Sequence, residues 1–119
     1  MTVLLVALGG AAGSVARFLV DTALRRRWSV PWPTLAINAS ASLLLGLLAG
    51  LAAAGHLGGS ALAVAGTGFC GGYSTFSTAA FELYRLLETG ERGTALRYGV
   101  ASLLLPVLAA TAGMSLTAG

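Results

Sequence analysis

Polar side chains that can donate hydrogen bonds recur at helical spacing inside segments that are otherwise apolar. Three groups of them each fall on one helix face: Thr34, Asn38 and Ser42; Thr75, Thr78 and Glu82, with Phe76 beside them; and Tyr98 with Ser102. Polar groups in a membrane cost free energy unless they are satisfied, and they tend to face a bundle interior or a water-filled route. Any single hydroxyl is expected only to bond to a neighbouring helix, which is worth roughly 0.6 kcal/mol on average. Three groups in so small a chain favour a permeation path.

The groups along such a path are mostly hydrogen-bond donors. Amide N–H and hydroxyl O–H groups are accompanied by aromatic rings, whose edges are electrostatically positive. Carboxylates are scarce, since Glu82 is the only one in its apolar segment, and Arg17 adds positive potential. The simpler role of Arg17 is to tie helix ends together, with Asp21 within reach four residues on. A lining rich in donors and poor in acids suits a small anion better than a cation.

The stretch Gly66–Glu82, which reads GTGFCGGYSTFSTAAFE, interrupts an apolar segment near its middle. It combines helix-weakening glycines with hydroxyl side chains that compete for backbone hydrogen bonds: Gly66, Gly68, Gly71, Gly72, Ser74, Thr75, Ser77 and Thr78. This composition predicts a membrane helix that breaks. Such backbone lies in protein or lines a polar cavity, and half-helix ends often mark ion or substrate sites. The alternative is a glycine-rich packing interface without a ligand, and the stretch alone leaves both open.

The composition places the chain among membrane proteins with a single domain, 1–119. It is 56% hydrophobic and 9% charged, whereas soluble domains carry about 25% charged residues. Crossing hydrocarbon takes roughly 20 apolar residues. We therefore predict an all-α membrane protein with four transmembrane helices at about 2–24, 34–54, 61–87 and 94–117, the third of them broken.

The basic residues are concentrated in two of the predicted links. Arg25, Arg26 and Arg27 are consecutive in the first link, and three more flank the third: Arg85, Arg92 and Arg97. This pattern is typical of a topology signal rather than of nucleic-acid binding, and it predicts cytoplasmic first and third links with both termini outside. Because four helices fill their own core with side chains, we expect a pore to form between subunits, in a dimer or a larger assembly.

Several other functions can be weighed against a channel. With one cysteine, Cys70, and one histidine, His56, neither a zinc site nor a nucleophile–base–orienter triad is expected, so an enzyme is the least favoured class. A small proton-coupled multidrug exporter would need a membrane carboxylate, for which Asp21 and Glu82 are the candidates. A non-transporting subunit of a membrane assembly is the third alternative.

A set of residues along nearly the whole chain resembles the Fluc (CrcB) family of small fluoride channels. The set is Gly9–Gly10 with Gly13 and Arg17, Thr34–Leu35 then Asn38, GFCGGYSTFST at Gly68–Thr78, and Tyr98 with Ser102. The resemblance implies an antiparallel, dual-topology dimer in the bacterial plasma membrane that exports fluoride through two pores. It also implies a structural sodium ion at the dimer centre.

Residue roles follow from the same resemblance. Asn38 matches the pore asparagine and Phe76 the first pore phenylalanine, while Tyr98 and Ser102 match a polar track. Gly71 and Ser74 match the break residues whose carbonyls hold sodium, and Arg17 and Glu82 match structural positions.

Two positions depart from the family pattern. Ala79 stands where a second phenylalanine is usual, and Ala41 where a glycine is usual. Together with the one-sided arginines, Ala79 suggests the hypothesis that the partner is a paralogous subunit rather than a second copy.

Overall fold

The computed structural model describes residues 1–29 and 31–118, and the secondary structure within them is entirely helical, as predicted. Seven helical segments follow one another in this part of the chain: α1 (Thr2–Leu24), α2 (Trp32–Ala53), α3 (Gly59–Leu62), a π-helix (Ala63–Cys70), α4 (Gly71–Tyr73), α5 (Phe76–Glu88) and α6 (Arg92–Ala118). Tight turns link α2 to α3 and α5 to α6, where Gly55 and Gly90 adopt positive φ angles of 82° and 84° that favour glycine.

Three of the described helices, α1, α2 and α6, are long and apolar enough to cross a membrane. Their large apolar side chains point outward, as Leu103 and Leu116 do with 72% and 76% exposure. An outward apolar surface is what a lipid environment requires, and it is the reverse of a soluble domain.

Glycines bring the helices into backbone contact. A Cβ atom on Gly13 would collide with the Phe69 carbonyl of the π-helix, and one on Gly46 would collide with the Ala110 carbonyl of α6. Small residues allow this close approach in lipid, where packing rather than the hydrophobic effect holds helices together. The result is two closely packed pairs, α1 with the π-helix and α2 with α6.

Two extended residues separate the helical pieces in the glycine- and hydroxyl-rich region. The turn α4 ends at Tyr73, and the backbone is then extended at Ser74 (φ −79°, ψ 162°) and Thr75 (φ −152°, ψ 117°) before α5 begins at Phe76. Thr75 is the N-cap of α5, because its side chain accepts a hydrogen bond from the Thr78 amide at 3.2 Å. The chain therefore changes direction at these two residues.

The contact considered between Arg17 and Asp21 is not among the hydrogen bonds and ion pairs of the described residues, where Asp21 pairs with Arg25 instead. The Arg25 Nε lies 2.8 Å from Asp21 Oδ2 at the end of α1, and the hydrogen bond to Asp21 raises the pKa of the Arg25 guanidinium. Both pairs have a spacing of four residues, but an acid that precedes its base is the better arrangement on a helix.

Candidate functional site

The side chain of Asn38 in α2 is bonded to the extended backbone between α4 and α5. Its Nδ2 donates to the Thr75 carbonyl at 2.9 Å, and its Oδ1 accepts from the Thr75 amide at 2.8 Å. Both distances are typical of strong neutral hydrogen bonds. The pair replaces the partner that the Thr75 amide would have in a continuing helix, which is the carbonyl of Gly71 four residues earlier.

The other side of the break faces α1. Arg17 donates from Nη1 to the Ser74 carbonyl at 3.4 Å, and Ser14 donates to the Gly72 carbonyl, also at 3.4 Å. Both bonds are long. They supply donors to the Gly72 and Ser74 carbonyls, which lie where the backbone leaves the helical conformation. The extended backbone at Ser74 and Thr75 is thus held by α1 on one side and by α2 on the other.

A groove of about 510 Å³, which we call the donor groove, collects four of the predicted path residues. These four are Asn38, Phe76, Tyr98 and Ser102. The hydroxyls of Tyr98 and Ser102 are buried and meet no hydrogen-bond partner among the described residues. Among the described residues that line the groove, Arg92 is the only charged one, so the polar lining offers hydrogen-bond donors and no carboxylate.

A second, smaller cleft of about 160 Å³ lies between α1, α2 and α5. It collects the three predicted threonines, Thr34, Thr75 and Thr78, together with Arg17. Asp21 also lines this cleft, and its Oδ1 is buried without a partner among the described residues. The cleft therefore has mixed charge, in contrast to the donor groove.

Ser42 lines neither the donor groove, which contains Asn38, nor the smaller cleft, which contains Thr34. It lines a third groove, of about 330 Å³, together with Gly71 and Ser74, which were predicted as metal ligands. Gly71 is exposed, and a Cβ atom added there would meet nothing within 4 Å. The three polar residues predicted to share one face of α2, which are Thr34, Asn38 and Ser42, thus line three different cavities.

Glu82 is 6% exposed and sits at the arginine-rich end of the molecule. Its Oε2 lies 3.5 Å from Arg25 Nη2, while its Oε1 is buried without a partner among the described residues. This contact joins the end of α1 to α5.

Phe76 is the first residue of α5, and its side chain is 86% exposed. Ala79, one turn along, lines the same groove and leaves apolar space beside the ring.

The sequence analysis did not identify two polar contacts at the break. One is the bond from Ser14 to Gly72, and the other joins Ser40 and Tyr73, whose hydroxyl oxygens are 3.0 Å apart. Ser14 lies three residues before Arg17 in an apolar segment, which is a helical spacing that could have indicated it. Ser40 lies outside the four-residue repeat of its helix, so periodicity carried no signal for it.

Comparisons with known proteins agree on one family. Residues 4–114 match the family model of CrcB-like protein, Camphor Resistance (CrcB). A Nitrobacter winogradskyi protein named fluoride-specific ion channel FluC is 43% identical over 118 residues, which cover 96% of this chain and 93% of that protein. A Cutibacterium acnes protein named fluoride-specific ion channel FluC 2 is 46% identical over 120 residues, covering 98% and 97%. A Thermus thermophilus protein named fluoride-specific ion channel FluC is 42% identical over 115 residues, covering 95% and 91%.

These relatives are named as channels rather than enzymes, in agreement with the sequence analysis. Together with the three apolar spans, the match identifies a multi-pass protein of the plasma membrane, as predicted. The chain, which the family model matches over most of its length, belongs to the CrcB family.

Proposed function

We propose that this protein is a fluoride-specific channel that lets fluoride leave the cytoplasm by passive permeation and so lowers its toxicity. The observation that carries the proposal is the donor groove, where the Asn38 amide and the unpartnered hydroxyls of Tyr98 and Ser102 line one space without a carboxylate. Fluoride is small and strongly hydrated, so it needs close donors that replace its water. The names of the relatives support fluoride as the ion.

The third segment crosses the membrane as a fourth, broken span in this proposal. Its π-helix packs along α1 with backbone contacts, such as that between Gly68 and the Val6 carbonyl, so the two segments share one depth. Extended backbone at Ser74 and Thr75 is tolerated there because α1 and α2 supply hydrogen bonds from both sides.

The path is completed by a second subunit in antiparallel orientation. The grooves at Asn38 and at Gly71 are open in the single chain, and Phe76 is 86% exposed beside the first of them. A subunit seated on this face would cover the ring and close the donor groove. Phe76 would then present its positive edge to the ion, as the other donors do.

The partner is a second copy or a paralogue, and the arginines bear on the choice. Arg25, Arg26 and Arg27 mark one end of the molecule and favour a single orientation in the membrane, whereas two antiparallel copies need both. Relatives numbered FluC 1 and FluC 2 are in keeping with paired paralogues. Efflux from liposomes that contain the chain alone would exclude the paired arrangement.

A structural sodium ion at the centre of the dimer fits part of the geometry. The Thr75 amide, the helical donor to the Gly71 carbonyl, bonds to Asn38 instead, Gly71 lines an exposed groove, and backbone oxygen is a hard ligand suited to a hard cation. The Ser74 carbonyl also contacts Arg17, so only its second lone pair is open to an ion. Gly71 and Ser74 of each subunit would hold sodium, which supplies positive charge that links the subunits and is not transported.

The proton-coupled exporter is less well supported by the same geometry. It needs a carboxylate that exchanges a proton with a cationic drug, and both candidates contact Arg25: Asp21 at 2.8 Å and Glu82 at 3.5 Å. Neither of them lines the donor groove.

Efflux from liposomes loaded with fluoride, followed by a fluoride electrode, tests the proposed function. We expect fluoride to leave and chloride to be retained, and Asn38→Asp to abolish efflux because it places an acceptor and a negative charge on the path. Equal fluoride and chloride release by the wild-type dimer, or unchanged efflux by the folded variant, would contradict the proposal.

A further inference from the structure

The hydrogen bonds of Asn38 fix which atoms of its amide remain free. A backbone N–H can only donate and a backbone carbonyl can only accept, so Oδ1 must face the Thr75 amide at 2.8 Å and Nδ2 the Thr75 carbonyl at 2.9 Å. If the amide were flipped, Oδ1 would face the Thr75 carbonyl and Nδ2 would face the Thr75 N–H. An acceptor would then meet an acceptor, and a donor would meet a donor. The amide carries two N–H groups, and this pairing uses one of them.

We propose that the backbone N–H and C=O of Thr75 together act as an orientation lock on Asn38, so that the side chain presents its second N–H, and not Oδ1, to the donor groove. This inference rests on the proposed function and adds the source of the preference for an anion. Asn38 lines the donor groove while its Oδ1 is turned toward the break. The same residue is thereby a ligand for fluoride and a clamp on the helix break.

The lock matters because a free asparagine amide is ambivalent. Its carbonyl oxygen can bind a cation as readily as its N–H can bind an anion, and rotation about the last side-chain bond exchanges the two. Two hydrogen bonds to the N–H and C=O of one residue prevent that rotation and leave a donor already oriented. A group that is already oriented loses less conformational entropy on binding than a group that the ligand must order.

The lock also depends on the extended conformation of Thr75. With φ −152° and ψ 117°, the N–H and C=O of this residue point to the same side, as they do in a β-strand, and can meet both polar atoms of one side-chain amide. In a continuous helix they would point along the axis in opposite directions. The break at Thr75 is therefore what makes the pairing geometrically available.

Nuclear magnetic resonance of the Asn38 side-chain amide in detergent micelles tests the lock without any flux measurement. We expect one Nδ2 hydrogen to exchange slowly with solvent and the other to exchange quickly, and sodium fluoride to shift mainly the fast one. Sodium chloride is the control and should shift neither. Equal exchange of the two hydrogens, or a fluoride shift confined to the protected one, would overturn the proposal even if the wild-type protein conducts fluoride.

Flux measurements on variants separate the lock from the fold. Asn38→Ser removes both bonds to Thr75 and also the N–H proposed to bind fluoride. We expect a roughly tenfold rise in the fluoride concentration at half-maximal flux, the effect of about one lost hydrogen bond to the ion, with weaker discrimination against chloride. Ser40→Ala is the matched control, because Ser40 lies on the same helix and contacts Tyr73 rather than the break backbone. Unchanged half-saturation and selectivity in folded Asn38→Ser would overturn the lock. A wild-type chain without flux would instead count against the proposed function, and the resonance experiment would still decide the lock.

Discussion

Gly71 and Gly72 are adjacent in the break region, yet adding one methyl group to each should have opposite effects on stability. A Cβ atom at Gly72 would collide with the carbonyl of Gly10 in α1, whereas one at Gly71 would meet nothing within 4 Å. The obstacle at Gly72 is backbone, so relief requires that α1 and the third segment move apart. Gly71→Ala and Gly72→Ala therefore form a matched pair that differs in one contact.

The expected magnitudes follow from these contacts. Overpacking costs up to about 3 kcal/mol, and replacing a helical glycine by alanine returns about 0.5–1 kcal/mol. Gly71 has helical dihedral angles (φ −63°, ψ −40°), so Gly71→Ala should gain that smaller amount in the protomer. Gly72→Ala should lose about 2 kcal/mol, which makes the two variants differ by about 3 kcal/mol.

Unfolding by a rising mole fraction of lithium dodecyl sulfate in mixed micelles, followed by the fluorescence of Trp28 and Trp32, measures the difference. Sodium-free buffer keeps any cation at the subunit interface from contributing. We expect Gly72→Ala to unfold first and Gly71→Ala last, with the wild type between them. Equal stability of the two variants, or a greater loss in Gly71→Ala, would refute the close packing between Gly10 and Gly72.

Three further predictions concern the cap, the ion and the ion pair. Thr75→Val removes the side chain that caps α5 and should destabilise the protein by about 1 kcal/mol in the same unfolding assay, whereas equal stability would argue against the cap. Gly71→Val, or replacement of sodium by N-methylglucamine, should shift the dimer toward monomer in gel filtration, and an unaltered dimer in both would contradict the sodium proposal. Arg25→Ala leaves Glu82 buried without its cation and, because Arg25 is itself 38% exposed, should cost about 1–3 kcal/mol of stability, while Arg26→Ala should cost little; similar losses in both would refute the Arg25–Glu82 contact.

Much of the helical architecture could be predicted from the apolar segments and from the residues that end them. The first segment was expected at about 2–24 and the helix spans Thr2–Leu24, because Arg25–Arg27 end its apolar run. The π-helix at Ala63–Cys70 could not be read in this way. A periodicity of apolar residues does not distinguish the wider helix from an α-helix when nearly every residue is apolar or glycine.

The candidate site was readable in its residue types but not in its contacts. Residues four apart on a helix are offset by about 40°, so Ser42 lies about 80° around α2 from Thr34 and opens onto another groove. The pairing of Asn38 with Thr75 joins a side chain to a backbone group 37 residues away, and backbone partners leave no mark in residue types. The contact from Arg17 to the Ser74 carbonyl could not be predicted for the same reason.

The central claim is that fluoride crosses the membrane past the donors that line the donor groove, and efflux from liposomes that contain the protein as a dimer tests it most directly. We predict that a fluoride electrode will record rapid fluoride loss from these liposomes while a chloride electrode records retention of chloride. A dimeric sample that releases fluoride no faster than protein-free liposomes would contradict the claim.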